Sequence, residues 1–161
     1  MKRIPLGNNQ GFVLVDDEDY KWLNKQNWCR LKCKNSSYAK FDRRVDGKKV
    51  SFLMHRIILN AKPHQFVDHR DGNGLNNQRF NIRICTKSEN GMNQKPQKGR
   101  TSQYKGVCRF RSKWQAGIKK DGKRKLLGIF SDEIEAAKAY DKKAIEFFGE
   151  FAYLNFPEEP K

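Results

Sequence analysis

The stretch from residue 91 to residue 103 most constrains how this chain of 161 residues can fold. It reads Gly-Met-Asn-Gln-Lys-Pro-Gln-Lys-Gly-Arg-Thr-Ser-Gln, with one apolar side chain, two glycines, one proline and three positive charges. A segment of this composition buries too little apolar surface to offset the entropy lost on ordering. We therefore expect two small domains, residues 1–93 and 104–157, joined by a basic flexible linker over residues 94–103.

The charges of the chain are numerous and unevenly placed. Lys and Arg number 34 against 18 Asp and Glu, which gives a formal net charge of +16. Residues 104–129 hold nine basic side chains and one acid, whereas residues 130–161 hold four basic side chains and eight acids. Such a surplus repels itself unless a polyanion offsets it. The pattern predicts nucleic acid as the partner, and the alternative is a solvated basic surface without a partner.

The apolar and cysteine patterns disfavour a membrane partner and a zinc site. The longest apolar runs, such as Phe12–Val15, are too short to span a bilayer, and no apolar stretch follows the opening Met-Lys-Arg-Ile-Pro as an export signal would require. We therefore expect an intracellular protein with reduced thiols and no membrane partner. The four cysteines lack the paired Cys-x2-Cys spacing of zinc sites.

The first sixty residues predict short strands around one early helix. Asp16 or Asp17 is expected to cap that helix, since acids follow in its first turn. Asp46-Gly47 is a strong hairpin signal, because a type I′ turn requires positive φ at both central residues. The expected elements are strands over 12–15, near 28–34, over 38–44 and over 50–54, and a helix over 18–25.

A loop rich in Asp, Gly and Asn joins two predicted strands in the middle of the chain. Residues 66–69 and 81–85 have strand patterns, and Thr86-Lys87-Ser88-Glu89 has the capping-box form that starts a helix. The order strand, loop, strand, helix is expected to bring Asp68, His69 and Asn90 within reach of one another. Because adjacent strand residues point to opposite faces, Asp68 and His69 can share one site only if the strand ends or bends between them.

These three side chains have the chemistry of phosphodiester hydrolysis with one metal ion. A hard divalent cation such as Mg²⁺ or Mn²⁺ prefers oxygen ligands, which the Asp68 carboxylate and the Asn90 amide supply. The His69 imidazole, with an ordinary pKa of about 6.5, can take a proton from an attacking water molecule. The metal would offset charge on the phosphoryl and leaving oxygens. The alternative interpretation is a turn-rich, self-capping loop without a metal.

Two motifs in this segment resemble the HNH endonuclease family, particularly its phage-type homing endonucleases. They are Asp-His-Arg-Asp-Gly-Asn at residues 68–73 and Asn-Ile-Arg at residues 81–83, and the resemblance covers about residues 9–93. It implies DNA cleavage to 5′-phosphate and 3′-hydroxyl ends, with no small-molecule cofactor beyond one divalent metal ion per site. It also implies a phage-encoded protein in the cytoplasm of a bacterial host.

The same resemblance implies a role for each matching residue. His69 would be the general base, and Asn81 would pin the loop to the second strand. Asp68 and Asn90 would hold the metal ion, within the ββα-metal motif of the family. The upstream Met54-His55-Arg56 also matches, which implies that His55 and Arg56 border the site and its phosphate.

The last third of the chain predicts a three-stranded antiparallel sheet packed on one helix. Strands are expected over 104–111, 113–120 and 126–130, with a turn at Asp121-Gly122. A helix is expected to follow, capped by Ser131 and ended by Gly149. The sheet half is basic and the helix half acidic, so we expect the sheet to enter a DNA major groove and the helix to support it.

Six short motifs across residues 104–157 resemble the AP2/ERF DNA-binding domain. They are Tyr104-Lys105-Gly106-Val107, Trp114-Gln115-Ala116, Leu127-Gly128-Ile129-Phe130, Glu135-Ala136-Ala137, Ala139-Tyr140-Asp141 and Leu154-Asn155-Phe156-Pro157. The resemblance implies a set of mostly basic side chains on or beside the DNA-facing sheet: Lys105, Arg109, Arg111, Lys113, Trp114, Lys119, Arg124 and Lys125. Cys108 stands where the family has a base-reading Arg, and Leu126 replaces a Trp, so the base preference of the family does not transfer.

Together the patterns predict an α+β chain with a β-rich N-terminal domain that carries a ββα-metal motif, followed by a three-stranded sheet on one helix. The predicted function is a metal-dependent homing endonuclease for double-stranded DNA, positioned by an AP2-like module. The alternative is a non-cleaving, sequence-specific DNA-binding transcriptional regulator. Structured RNA is less favoured, since a three-stranded sheet suits the DNA major groove better than the narrow groove of A-form RNA.

Overall fold

A computed structural model of the protein describes residues 1–33, 36–96 and 99–157. The chain divides into two compact units, Met1–Asn90 and Gly91–Lys161. Both units combine small antiparallel sheets with α-helices, so the predicted α+β class is confirmed. Two expectations fall partly outside the described residues: the strand near 28–34 at its last residue, and the linker 94–103 at residues 97 and 98. No helix among the described residues is long and apolar enough to cross a membrane.

The first unit contains three small sheets and three short helices. Its elements, in chain order, are β1 Lys2–Pro5, β2 Phe12–Val15, α1 Asp17–Leu23, β3 Cys29–Lys32, β4 Ser37–Val45, β5 Lys48–Leu53, α2 Met54–Ile58, β6 Phe66–His69, β7 Ile82–Cys85 and α3 Lys87–Met92, the last of which continues past Asn90. The sheets are β1–β2, β3–β4–β5 and β6–β7, and every pairing is antiparallel. One apolar cluster joins these elements: Ile4, Leu6, Val13, Val15, Leu23, Trp28, Ala39, Met54, Ile58 and Ile82.

Strand β1 is an element that the sequence patterns did not predict. It pairs antiparallel with β2, from Lys2 opposite Val15 to Pro5 opposite Phe12. Only Ile4 of its four residues is buried, so the strand has too little apolar alternation to be recognised from sequence. Its position is set by tertiary packing of that one side chain, which is 1% exposed in the core.

The predicted hairpin at Asp46-Gly47 is confirmed. Both turn residues have positive φ, 49° at Asp46 and 73° at Gly47, as a two-residue type I′ turn requires. Strand β4 is nine residues long, but β3 pairs only with its first four residues, from Ser37 to Lys40. The rest of the hairpin therefore extends past the third strand as a two-stranded ribbon.

The second unit is a three-stranded antiparallel sheet covered by one long helix. Its elements are β8 Val107–Phe110, β9 Lys113–Lys120, β10 Lys123–Phe130, α4 Glu133–Phe148 and a short 3₁₀ helix Gly149–Phe151, and the strand order is β10–β9–β8. Small residues let α4 approach the sheet closely, because Ala136, Ala137 and Ala144 are all fully buried against it.

The predicted N-cap of α4 is wrong by one residue. Asp132, not Ser131, has the extended backbone of a cap, and its Oδ1 accepts a hydrogen bond of 2.9 Å from the Glu135 N–H. A carboxylate is the stronger acceptor for the helix N-terminus, because the helix dipole favours a negative charge there. Gly149 ends the helix with φ of 52°, as predicted.

Gly106 is required where β8 begins, and its replacement is the first testable prediction. Its φ is +78°, and a Cβ there would lie 1.9 Å from Cδ2 of the Tyr140 ring. Gly106→Ala is therefore expected to lower the free energy of unfolding of the second unit by about 3 kcal/mol, from backbone strain plus steric overlap. Urea unfolding followed at the amide NMR signals of residues 107–148 measures it.

Gly122→Ala is the matched control for this substitution. Gly122 has nearly the same φ, +77°, but a Cβ there would meet no atom within 4 Å. The control is expected to cost only about 1 kcal/mol, since it adds backbone strain alone. Equal losses in the two variants would show that the close approach to Tyr140 contributes nothing.

Candidate active site

The two-stranded sheet β6–β7 separates Asp68 from His69. Asp68 pairs with Arg83 across the sheet, and His69 pairs with Ile82. Because successive side chains of a strand point to opposite faces, Asp68 and Arg83 share one face and His69 lies on the other. His69 is the last residue of β6, so it stands at the point where the strand gives way to the loop.

A buried ion pair occupies the first face. Oδ2 of Asp68 accepts hydrogen bonds of 2.9 Å from Nε and 2.7 Å from Nη2 of Arg83. Asp68 is 5% exposed and Arg83 is 8% exposed. Removing one partner of such a pair leaves the other charge buried, at a cost of about 3–5 kcal/mol. The charge on Asp68 is therefore balanced within the protein, and an added cation competes with Arg83 for it.

On the other face, Asn77 holds the His69 ring. The Asn77 Oδ1 lies 3.0 Å from Nε2 of His69, and Asn77 has no exposed surface. Its amide nitrogen Nδ2 donates at 3.5 Å to the sulfur of Met54, which can only accept. The amide oxygen must therefore face the imidazole, so Nε2 of His69 carries the hydrogen and the lone pair of the neutral ring lies on Nδ1. Sequence analysis missed Asn77, because one Asn in an Asn-rich loop has no distinguishing pattern.

The surroundings of His69 keep its ring neutral near pH 7. Burial lowers the pKa of His69 below its ordinary value of 6.5. The hydrogen bond with Asn77 and the negative charges of Asp71 and Asp68 oppose that shift without overcoming it. Asp68 is thus close enough to act on His69 electrostatically although its side chain occupies the other face. A neutral imidazole is the form that can accept a proton.

His55 and Tyr38 complete the wall around His69. The His55 ring centroid lies 5.1 Å from that of His69 and 5.2 Å from that of Tyr38, in edge-to-face arrangements. Burial, with smaller contributions from His69 and Arg56, lowers the pKa of His55 to about 3. His55 is therefore uncharged at neutral pH and has no proton to donate there. Its buried Nδ1 has no hydrogen-bond partner among the described residues.

Asn81 ties the loop together at the start of the second strand. Its Nδ2 donates to Oδ1 of Asp71 at 2.9 Å and to the carbonyl oxygen of Asn76 at 2.8 Å. Its Oδ1 accepts a 3.1 Å hydrogen bond from the Asp71 N–H. These bonds close the loop on itself. They fix the point where β6 ends, at His69, and the point where β7 begins, at Ile82.

A second set of contacts fastens the same loop to β2 and α1. The carboxylate of Asp16 accepts hydrogen bonds from Nε2 of Gln78 at 3.1 Å and from the Arg79 N–H at 2.7 Å. Buried Asp19 accepts two 2.8 Å bonds from the guanidinium of Arg79. On the backbone, the Leu14 N–H donates to the carbonyl oxygen of Leu75, and the Leu14 carbonyl oxygen accepts from the Asn77 N–H. Asp16 is the N-cap of α1 as predicted, but its carboxylate binds this loop and makes no cap hydrogen bond.

The helix that carries Asn90 begins as predicted. The Thr86 hydroxyl accepts from the Glu89 N–H at 3.2 Å, and the Glu89 carboxylate accepts from the Thr86 N–H at 2.7 Å, which is the reciprocal capping box. Cys85 lies on the Asp68 face of β7 and interacts both with the Asp68 carboxylate and with the backbone of Asn90 in α3. Burial raises the pKa of its thiol to about 11, with a smaller contribution from the Asp68 carboxylate, whereas a backbone hydrogen bond with Asn90 opposes the rise.

The donor atoms of this face suit a hard cation. Among the described residues, no group of three or more His, Cys, Asp or Glu side chains is placed to hold a metal ion. The sequence prediction assigns the metal ion to Asp68 and half-buried Asn90, which would supply one carboxylate and one amide oxygen. Oxygen donors of this kind, completed by phosphate and water, fit Mg²⁺ or Mn²⁺ and not a softer metal.

Arg56 is bound to the segment that leads into β6. Its Nη1 donates to the carbonyl oxygen of Gln65 at 2.8 Å, and its Nη2 donates to those of Ala61 and Lys62 at 3.3 and 2.6 Å. These three hydrogen bonds hold the turn between α2 and β6. The structure thus gives Arg56 a role in positioning that turn, next to the His55 ring.

The predicted DNA-binding residues of the second unit divide between the two faces of its sheet. Ala116 and Ile118 are buried under α4, so the alternate positions of β9 face outward. Lys113, Lys119 and Arg124 lie on that outward face, the last two as a cross-strand pair. Two exposed apolar residues also lie on this face: Leu126, which sequence analysis noted as a departure from the family, and Phe110, which it did not name.

The other predicted residues of this unit lie elsewhere. The guanidinium of Arg109 stacks 4.9 Å from the half-buried Trp114 ring, and the ammonium of Lys125 lies 5.9 Å from the Phe147 ring of α4. Arg111 is in the turn between β8 and β9, with φ of 53°. The Nζ of Lys105 donates to the carbonyl oxygens of Met92 and Gln94.

Comparison with known proteins identifies the family of the chain. An uncharacterized HNH endonuclease of Acanthamoeba polyphaga mimivirus is 36% identical over 155 residues, covering 93% of this chain and 78% of that protein. The chain therefore belongs to the HNH endonuclease family, as the sequence motifs predicted. No family model matches the chain.

Part of the chain also matches plant AP2 proteins. APETALA2-like protein 2 of Oryza sativa is 43% identical over 61 residues, which is 37% of this chain and 14% of that protein. The AP2/ERF and B3 domain-containing transcription repressor TEM1 of Arabidopsis thaliana is 38% identical over 77 residues, which is 47% of this chain and 21% of that protein. The predicted AP2-like part is therefore confirmed as a sequence likeness, and the chain spans only a small fraction of these plant proteins.

The buried histidines make the folded chain sensitive to acid. His55 has a folded pKa of about 3 against an ordinary value of 6.5, so the unfolded chain binds the additional proton as the pH falls between these values. Stability is thus fully present above pH 6.5 and is lost toward pH 3, by about 1.4 kcal/mol per pH unit for this group. His55→Leu is expected to flatten that part of the curve in urea titrations.

His64→Leu is the control, because His64 is exposed. The control is expected to keep the parental slope of stability against pH. The same slope in the His55 variant as in the parent would contradict the burial argument.

Proposed function

We propose that the chain is a metal-dependent endonuclease of the homing type, which hydrolyses phosphodiester bonds in double-stranded DNA. One observation carries this proposal: a buried, neutral His69 is held in a single tautomer at the end of β6, with Asp68 and Arg83 behind it. Membership of the HNH endonuclease family supports nuclease activity. Hydrolysis of a phosphodiester requires an oriented base and a group that offsets developing negative charge, which His69 and a metal ion held by Asp68 and Asn90 would supply.

In this mechanism His69 is the general base. The Asn77 Oδ1 accepts a hydrogen bond from the Nε2–H of His69, so Nδ1 is the atom that accepts the proton of the attacking water. As His69 becomes positively charged, the bond to Asn77 and the charges of Asp71 and Asp68 stabilise the imidazolium. Neutral His55 beside it adds no repelling charge at neutral pH.

Asp68 and Asn90 would hold the divalent ion beside the end of β6, where His69 is the last residue of the strand and both side chains can reach one phosphate. When bound, the ion supplies positive charge that offsets the negative charge developing on the phosphoryl and leaving oxygens. Arg83 balances the same carboxylate in the chain itself, so binding of the ion requires Arg83 to give up part of its contact with Asp68. A guanidinium released in this way is suited to a phosphate oxygen.

The AP2-like unit is proposed to place this site on the duplex. Its outward sheet face carries Lys113, Lys119 and Arg124, and plant proteins with similar segments are named as transcription factors or repressors. Basic side chains on a sheet supply phosphate contacts, whereas base reading needs side chains that reach into the groove. Expression from a phage genome and action in the cytoplasm of a bacterial host stay predictions of the sequence motifs.

Replacing the base is the direct test of the mechanism. His69→Ala is expected to lower the rate of plasmid nicking in Mg²⁺ or Mn²⁺ at least 100-fold while DNA binding is retained, since general-base catalysis contributes about 10²–10⁴ in rate. Addition of EDTA is expected to stop the parent enzyme.

His64→Ala controls for the loss of an imidazole elsewhere and is expected to nick at the parental rate. Nicking by the His69 variant at the parental rate would contradict the assignment of His69 as the general base. If the parent binds DNA but never nicks it with either metal, the non-cleaving DNA-binding regulator becomes the better description.

Asn77 is proposed as the residue that positions His69, and a pH profile tests it. Asn77→Asp places a carboxylate beside Nε2, which stabilises the imidazolium and is expected to shift the acid limb of the nicking profile upward by about 1–3 pH units. Asn73→Asp adds the same charge in the same loop, but the Asn73 side chain bonds to the Leu75 N–H and not to His69. Superimposable profiles for the two variants would rule out the positioning role.

A further inference from the structure

The hairpin formed by β4 and β5 extends beyond the body of the first unit without forming core. Strand β3 pairs with β4 only as far as Lys40, so residues 41–52 form a two-stranded ribbon. Every residue from Asp42 to Ser51 is exposed. The last inward contact along the ribbon is the stacked pair Phe41 and Phe52, whose ring centroids lie 5.0 Å apart. A long ordered hairpin that buries nothing at its end contributes little to stability, so its length calls for another explanation.

The end of this ribbon is strongly basic. Residues 43–50 hold Arg43, Arg44, Lys48 and Lys49 against the single acid Asp46, a net charge of +3 over eight residues. Arg44 pairs with Lys49 across the strands, which places two positive charges side by side. Like charges directly opposite in a sheet repel each other, so a partner of opposite charge is expected to relieve that repulsion.

One face of the ribbon continues the wall of the candidate active site. Tyr38, whose ring lies 5.9 Å from that of His69, shares its face of β4 with Lys40, Asp42 and Arg44. Their cross-strand neighbours on this face include Ser51 and Lys49. The ribbon therefore presents a basic face on the same side as the imidazole proposed to act on the phosphate.

The acid on this face does not cancel its charge. The carboxylate of Asp42 accepts from Ser51 at 2.6 Å and from Lys40 at 2.9 Å, and it forms a 3.0 Å ion pair with Lys49. These partners hold the pKa of Asp42 well below its usual range, the Ser51 hydroxyl first among them. Two lysines thus flank one carboxylate, and Arg44 beyond them adds a further positive charge. The arrangement orders the lysine side chains while the face stays positive.

We infer that this ribbon is a second DNA-contacting surface, which lies along the duplex beside the cleavage site and grips its phosphate backbone. The inference rests on the proposed function for its location, since the duplex must pass His69. A two-stranded ribbon is one of the shapes that a major groove admits. Val45 is seven residues along β4 from Tyr38, so at ~3.3 Å per residue the tip lies roughly 23 Å from the site. That span corresponds to about seven base pairs of one flank.

Salt-dependent binding tests the ribbon without requiring cleavage. In the His69→Ala background, the double variant Arg44→Gln/Lys49→Gln, which removes the cross-strand pair on the basic face, is compared with its parent on a fluorescein-labelled duplex of arbitrary sequence. Loss of two phosphate contacts is expected to lower the slope of log affinity against log salt by about 2 and to weaken binding several-fold. The matched control Lys138→Gln/Lys142→Gln removes two exposed charges from α4 and is expected to keep the slope.

Three results would overturn the inference. One is an unchanged slope in the ribbon variant, and another is an equal fall in the control, which would mean that only total charge matters. The third is that the parent binds duplex RNA of the same sequence as tightly as DNA, and that the ribbon variant loses as much affinity for the RNA as for the DNA. A-form RNA would then be the partner. A charged hairpin that serves only to prevent edge-to-edge aggregation predicts the first result.

Hydroxyl-radical footprinting then tests the location. At a nick site mapped with the parent enzyme, the ribbon variant is expected to lose protection about seven base pairs from the nick and to keep it at the nick. Loss of protection on no flank would contradict the placement. If the parent never nicks DNA, the slope measurement still decides whether the ribbon binds, so failure of the proposed function and failure of this inference remain distinguishable.

Discussion

Neighbouring side chains of a β-strand point to opposite faces, and in β6 this rule assigns Asp68 and His69 to different surroundings. The carboxylate is neutralised by Arg83 on one face, whereas the imidazole is buried among Tyr38, His55 and Asn77 on the other. If both side chains were on one face, the carboxylate would bind the ring directly and favour its charged form. The separation lets the ring stay neutral while the negative charge stays close enough to stabilise it after protonation.

The rest of the first unit keeps this arrangement in place. Hydrogen bonds from Asn81 close the loop on itself, and Asp16 and Asp19 fasten it to α1. Asn77 can hold His69 only because that loop has one position relative to β2. A base that must point at a water molecule gains from such rigidity, because misplacement by about 1 Å costs a large factor in rate.

Local signals in the sequence predicted more of the fold than of the site. The capping box at Thr86 and Glu89 and the turn at Asp46 depend only on near neighbours, and both are present. Strand β1 depends on the burial of one residue, Ile4, against distant partners, so no local pattern predicted it. The contact of Asn77 with His69 and the binding of Lys105 by carbonyl groups likewise arise only after the chain has folded.

The contacts of Lys105 have a further consequence for the electrostatics of the chain. Burial lowers the pKa of this amine from its ordinary 10.5 to about 8, while two backbone carbonyls continue to accept its hydrogens. Near pH 8 the side chain therefore exists as a mixture of ammonium and free amine, and its contribution to the formal charge of +16 is fractional. Lys105 is thus a residue expected to attract phosphate whose positive charge decreases in mildly alkaline solution.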